Sequence, residues 1–282
     1  PVSAFMSGTL FCFILGVREA PGGRRRALFY GLYACAALAT LSKGLIGFLL
    51  PGAVMFVWLL VFNQWKRLRP LYLPSGLVLF FAIAAPWHLL AAQRNPDWAH
   101  FYFVREHWLR FTTTMHDRYQ PWWYFIPILL AGFIPWVGYL PQAIRSAVTG
   151  GWARRKENAD AWFFVTWAVV IFLFFSKSQS KLVPYILPVF PPLAVLVGAW
   201  LADVAAAGQA VRLRWGLRVF AFLCGAIGVA ALVATYKAGL IRNTAQALAL
   251  RPYAAAIAAV LLTGGALAPW LAKTRGARAA LF

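Results

Sequence analysis

The sequence predicts an all-α fold, a polytopic bundle of transmembrane helices with about eight or nine spans, on three observations. Apolar residues make up 62% of the 282-residue chain and charged residues 12%, with a mean hydropathy of +0.69. Soluble domains sit nearer half apolar and a quarter charged, so this is the composition of a membrane protein. The apolar residues are also gathered into runs close to the ~20 residues that a helix needs to cross ~30 Å of hydrocarbon. Finally, nearly all the lysines and arginines behind the net charge of +20 lie between the runs or at their ends. In a soluble chain that charge would point to nucleic acid. Here it follows the loops, as it does in helical membrane proteins, and nucleic acid is excluded as the partner.

The spans fall at about 1–17, 27–42, 45–62, 71–92, 122–142, 161–176, 182–204 and 215–236, with a further apolar run at 253–271. The run at 27–42 is short enough to be a broken or re-entrant helix. No charged leader or cleavage site precedes the first run, and the chain starts at Pro1, so it reads as a piece whose N-terminal part is missing. The whole of 1–282 reads as a single transmembrane domain carrying one long polar loop at 93–121. Cys12, Cys35 and Cys224 lie in apolar runs, which predicts buried thiols rather than a disulfide framework. Pro51, Pro86, Pro135 and Pro188 interrupt the runs and free backbone carbonyls, which suits a bundle with an internal cavity. Gly225–Ala234 and Ala254–Ala259 offer small-residue faces for close helix packing.

If every run crosses, 17 of the 27 Lys and Arg residues fall in one set of loops, including Arg18, Arg24–Arg26, Lys66, Arg67 and Arg69. That set is cytoplasmic by the positive-inside rule. The other face carries Lys43, Arg94, Arg105, Arg110, Arg118, Lys177 and Lys181, with three more towards the C-terminus. Lys43, Lys177 and Lys181 sit at the tips of apolar hairpins. A cation there either snorkels to lipid phosphate or serves a site.

The stretch Pro86–Tyr124 holds all four histidines, with Asp97, Glu106 and Asp117 among them. Asn95-Pro96-Asp97 reads as a helix start, and a helix from there to about Phe111 would align His100, Phe103, His107 and Arg110 on one stripe, with Glu106 four residues before Arg110. Trp98, Phe101, Tyr102 and Trp108 cover much of the rest, the pattern of an interfacial helix on the bilayer surface. His100, Glu106 and His107 are the candidates for a divalent metal, although no HExxH or paired-cysteine spacing is present. No other cofactor is indicated. Nucleotide chemistry has no support, since neither a Walker lysine loop nor GxGxxG occurs.

A second polar knot is Phe175-Ser176-Lys177-Ser178-Gln179-Ser180-Lys181-Leu182, and a third is Thr40-Leu41-Ser42-Lys43-Gly44. Ammonium groups with serine hydroxyls around them can clamp a phosphate. Together with the arginines on the same face, they point to an anionic ligand, a phosphate or pyrophosphate at the membrane surface.

Three blocks of this sequence resemble the polytopic lipid-linked sugar transferases of the GT-C type, in the branch of the aminoarabinose transferases and the related protein mannosyltransferases. They are Leu41-Ser42-Lys43-Gly44-Leu45-Ile46-Gly47, then Ala85-Pro86-Trp87 through Arg94-Asn95-Pro96, Glu106-His107-Trp108-Leu109-Arg110-Phe111, Gln120-Pro121-Trp122-Trp123-Tyr124 and Ile134-Pro135-Trp136, and then Phe174-Phe175-Ser176 through Ser180-Lys181-Leu182-Val183-Pro184-Tyr185-Ile186-Leu187-Pro188. The blocks span most of residues 1–200 in family order. The resemblance implies a transferase of the bacterial inner membrane with its active face extracytoplasmic. It would move a sugar, with 4-amino-4-deoxy-L-arabinose as the candidate, from a polyprenyl-phosphate donor to lipid A or another exported lipid or protein. By the same resemblance Lys43, Arg110, Lys181 and Lys177 contact the donor phosphate. Glu106 and His107 position the acceptor or a metal, and Trp122, Trp123 and Tyr124 line the sugar and lipid entrance. The family's catalytic carboxylate stands in a first outer loop with no counterpart here, so no catalytic residue is assigned. A lipid-linked sugar flippase is the alternative, and it would place buried charges near mid-membrane.

Overall fold

The computed structural model describes residues 1–109, 119–236 and 244–281. Among the described residues every regular element is helical. Helices α1 (Val2–Arg18), α2 (Gly23–Lys43), α3 (Ile46–Phe62) and α4 (Leu73–Arg94) coincide with the first four apolar runs. Helix α2 is one unbroken helix of 21 residues, because it extends back through Arg24–Arg26, so the run at 27–42 is neither broken nor re-entrant. At 1.5 Å per residue its length is about 32 Å, a full bilayer core.

The broken run is the one expected at 122–142. It resolves into α5 (Phe125–Gly132), a tight 3-10 turn at Trp136–Tyr139 and α6 (Leu140–Ala147). The break falls at Phe133–Pro135, where proline removes an amide donor and pushes its predecessor out of the helical region. Then come α7 (Ala159–Lys177), a 3-10 helix at Val183–Val189 that leads into α8 (Phe190–Ala206), α9 (Arg214–Tyr236) and α10 (Thr244–Thr274). Among the described residues five helical stretches are both long and apolar enough to cross a membrane, six if the broken pair counts as one; Val2–Gly16 and Ile46–Phe62 are apolar but shorter. The chain is thus a multi-pass membrane protein, and the other runs in the expected eight or nine fall short of that joint criterion.

The described chain divides into two compact units, one of residues 1–129 with 147–194 and the other of residues 130–146 with 195–282. The first has an aromatic core. Trp58 stands edge-on to Phe13 at 5.7 Å and to Phe163 at 5.5 Å, all three fully buried, and its indole N–H donates to the Ala159 carbonyl at 2.7 Å. Such pairs add about 0.5–1.5 kcal/mol each beyond the area they bury. One end of this unit is latched by arginines. Arg67 forks onto both carboxylate oxygens of Asp160 at 2.5 and 3.3 Å, and Arg18 meets the same carboxylate at 3.4 Å. Arg25, only 3% exposed, donates to the carbonyls of Glu19, Arg67 and Pro70. Part of the basic set read from the sequence as the cytoplasmic one therefore ties helix ends together.

In the second unit α9 lies along α10. Gly228 faces Ala258, and a Cβ there would sit 3.5 Å from the Ala258 Cα, so the two small-residue faces read from the sequence do meet. The Tyr139 ring packs so closely on Gly216 that no side chain fits between them.

Candidate active site

The α2–α3 turn is the first wall of the site. Helix α2 ends at Lys43 because Gly44 takes φ 82°, closed to most side chains, while its amide still donates to the Thr40 carbonyl at 2.7 Å. Gly47 then lets α3 start directly against the Ala39 carbonyl, since any Cβ would collide with that backbone. The hairpin is consequently tight, and Lys43 stands at its tip.

The second wall is the segment between α7 and α8. Ser178 Oγ donates to the Ser180 carbonyl at 3.0 Å. Lys181, 5% exposed, donates from Nζ to the carbonyls of Ser178 at 2.6 Å and Gln120 at 2.8 Å. Burial lowers the pKa of this amine from its ordinary value. The segment so braced presents Tyr185, whose ring packs on Phe175 at 5.3 Å and lies beneath the Lys43 ammonium, 3.9 Å from Nζ to the ring centroid. A cation over an aromatic face at that distance is held by the negative face of the ring.

The third wall is a π-helix, His100–Leu109. Its wider winding, with amides reaching back five residues, changes which positions share a face. The expected alignment of His100, Phe103 and His107 assumes an α-helical pitch, and spacings of three and seven do not fall in one row on a π-helix. Residues four apart come near one another, and Tyr102 and Glu106 both reach the cavity, with Phe103. Tyr102 is gripped on two sides. Trp98 stacks on its ring at 4.7 Å and 18°, and its hydroxyl lies 3.0 Å from His88 Nε2 on α4.

These walls enclose a cavity of about 810 Å³. Lys43, Ser178, Ser180, Tyr185, Tyr102 and Glu106 supply its polar groups. Ile46, Leu49, Leu50 and Ala53 of α3, with Phe174 and Phe175, supply a long apolar side. Ser180 Oγ is buried and has no hydrogen-bond partner among the described residues, a donor left over for a ligand. An anionic head with an apolar tail fits this division.

The sequence-derived candidates separate accordingly. Lys43 and Glu106 line the cavity, whereas Lys181 braces it from behind. Lys177, in the last turn of α7, is exposed and stands apart from the lining. Trp122 and Trp123 are exposed by 68% and 51%, and Tyr124 packs edge-on to Phe125, all three off the lining. Arg110 and the His107 side chain lie outside the described residues. His100 is exposed, and the described residues bring no three His, Cys, Asp or Glu side chains together as a metal site. The sequence assigns Tyr185 and His88 no individual role and marks Tyr102 only as part of the aromatic cover of an interfacial helix. For Tyr185 the available signal is a polar aromatic inside an otherwise aliphatic, proline-flanked run.

No family model matches the chain. It is 36% identical over 242 residues, 85% of its own length and 41% of the relative's, to the undecaprenyl phosphate-alpha-4-amino-4-deoxy-L-arabinose arabinosyl transferase of Pectobacterium carotovorum. Two crystal structures of ArnT from Cupriavidus metallidurans share the fold over 99% of this chain and 49% of theirs. The one bound to undecaprenyl phosphate has TM-score 0.82 at 31% identity, and the apo one 0.79 at 32%. By sequence and fold the chain is similar to part of the undecaprenyl phosphate–aminoarabinose arabinosyl transferases. It spans about two fifths of the length of the curated relatives it matches.

Proposed function

We propose that this chain forms the lipid-phosphate-binding part of a membrane transferase that moves 4-amino-4-deoxy-L-arabinose from undecaprenyl phosphate to lipid A. The observation that carries the reading is the amphipathic cavity with the Lys43 ammonium, mounted on Tyr185, at its polar end. In such a transfer the leaving group is a lipid phosphate, so negative charge grows on a phosphate oxygen as the glycosidic bond breaks. A fixed cation at that oxygen lowers the barrier more than it stabilises the bound donor. Lys43 supplies the charge, Ser180 a hydroxyl donor, and the apolar wall of α3 takes the first isoprene units. The relatives' names supply the sugar and the donor lipid. Arg110 is proposed as a second phosphate contact, Lys177 as a surface cation that draws the anionic head towards the mouth, and Trp122 with Trp123 as the lipid-facing rim. Glu106 and His107 are proposed to position the acceptor or a divalent ion.

The active face is proposed to be extracytoplasmic. Helix α2 carries Arg24–Arg26 at its start and Lys43 at its end, so the arginine-rich end and the cavity lie one bilayer apart. The test uses the full-length protein in vesicles with radiolabelled donor and a lipid A acceptor. Loss of transfer in correctly inserted Lys43→Ala supports the reading, and undiminished transfer overturns it.

A further inference from the structure

We infer that His88 is a positioning residue for this transfer, acting through the Tyr102 hydroxyl to set the half of the cavity that reads the sugar. The inference rests on the function proposed above.

The hydrogen-bond roles follow from chemistry. His88 Nδ1 lies 2.7 Å from the carbonyl oxygen of Ala84, one turn back on α4. A carbonyl only accepts, so Nδ1 carries the proton, and Nε2 of the neutral ring is an acceptor. The Tyr102 hydroxyl, 3.0 Å away, therefore donates to Nε2. Helix α4 fixes the imidazole tautomer with its own backbone, and the imidazole fixes the tyrosine. Trp98 completes the grip. It stacks on the Tyr102 ring and meets His88 edge-on at 5.7 Å.

What is gripped is a wall of the cavity. The polar groups of the cavity divide by element. Lys43, Ser178, Ser180 and Tyr185 come from the two hairpin tips and bring positive charge and hydroxyl donors, which suit a phosphate. Tyr102 and Glu106 come from the π-helix and bring a carboxylate and a phenol oxygen whose proton is committed to His88. Acceptors of that kind suit the hydroxyls and ammonium of an aminosugar. Tyr102 and Glu106 are four residues apart on one face of the π-helix, so a shift at Tyr102 carries Glu106 with it. The bond from α4 is thus a brace on the sugar-facing carboxylate, supplied by a residue absent from the cavity lining.

The experiment is a double-mutant cycle in the full-length transferase, comparing Tyr102→Phe, His88→Leu and the pair, with His88→Gln as the conservative variant that keeps an acceptor for the tyrosine. Two quantities are read: KM and kcat for the undecaprenyl-phosphate aminosugar, and affinity for undecaprenyl phosphate without sugar. Each single change is expected to raise KM about 3- to 10-fold, the size of one side-chain hydrogen bond, with the double variant no worse than either single. His88→Gln regains most of the loss, and affinity for the bare lipid phosphate is retained throughout, which also reports that the variants fold. Multiplying effects in the double variant would overturn the inference, as would an equal loss of bare lipid binding. Lys43→Ala in the same assay separates the two ideas. Full activity there removes the phosphate reading, whereas an inactive Lys43→Ala beside multiplying His88 and Tyr102 effects removes only this inference.

Discussion

The Lys43 ammonium lies 3.9 Å from the centroid of the Tyr185 ring, joining the α2–α3 turn to the segment that precedes α8. That contact decides between two fates for a lysine at an apolar hairpin tip. A snorkelling lysine would extend towards lipid headgroups, whereas this one is turned over an aromatic face at the rim of an internal cavity. Removing the ring face should therefore weaken lipid-phosphate binding. Tyr185→Leu is expected to lose about 0.5–2 kcal/mol of affinity for undecaprenyl phosphate, and Tyr185→Phe to recover most of it, as read by titration in detergent.

Ser180 carries a buried hydroxyl with no partner among the described residues. An unsatisfied buried donor costs about 1–3 kcal/mol until something pairs with it. Ser180→Ala should leave the unliganded protein as stable or slightly more so, yet reduce the thermal shift that undecaprenyl phosphate produces. Thermal unfolding with and without the lipid checks both halves.

Lys181 is expected to behave as a structural residue. Its ammonium bonds two backbone carbonyls, so Lys181→Met leaves the Ser178 and Gln120 carbonyls short of a donor and should cost about 1–3 kcal/mol of stability. Burial sets its folded pKa below the ordinary lysine value of 10.5. Between the two values the unfolded chain binds more protons, so stability rises with pH through that window and falls again as pH drops towards the folded value. Lys181→Met should flatten that alkaline slope in pH-dependent unfolding.

Gly47 sets the hairpin that aims Lys43. A methyl at this position meets the Ala39 carbonyl carbon and oxygen, which are backbone and have no rotamer to yield. Gly47→Ala should cost about 3 kcal/mol or more, above ordinary overpacking, seen as poor membrane accumulation and a lower unfolding temperature. Gly52, with open space around it, is the control; Gly52→Ala is expected to be tolerated.

The helical runs were legible because a membrane span is a long, composition-driven signal, and α1 to α4 fall within a few residues of their expected bounds. The π-helix was not. Apolar and polar spacing at 95–111 fits an α-helix equally well, and the contacts of Tyr102 with Trp98 and with His88 on α4 join residues that this spacing does not mark. Lys43 could be found as a cation where apolar hairpins place few. Lys181 carried the same sequence signal but turns inward onto carbonyls, a difference that depends on the Gln120 loop far away in the chain. Tyr185 and Tyr102 were hidden because a tyrosine beside an apolar run reads first as an interface anchor. Arg25 shows the same limit. It counts towards orientation in the sequence, and in the fold it is a buried triple donor.

The role of Lys43 in holding the lipid phosphate is tested by equilibrium binding of undecaprenyl phosphate to the full-length protein, wild type against Lys43→Ala, at matched ionic strength. Loss of a charge-assisted contact is worth about 1.5–3 kcal/mol, so the affinity of Lys43→Ala is expected to be weaker by about 10-fold or more. Unchanged affinity in a correctly inserted Lys43→Ala protein would contradict that role and return Lys43 to the membrane surface.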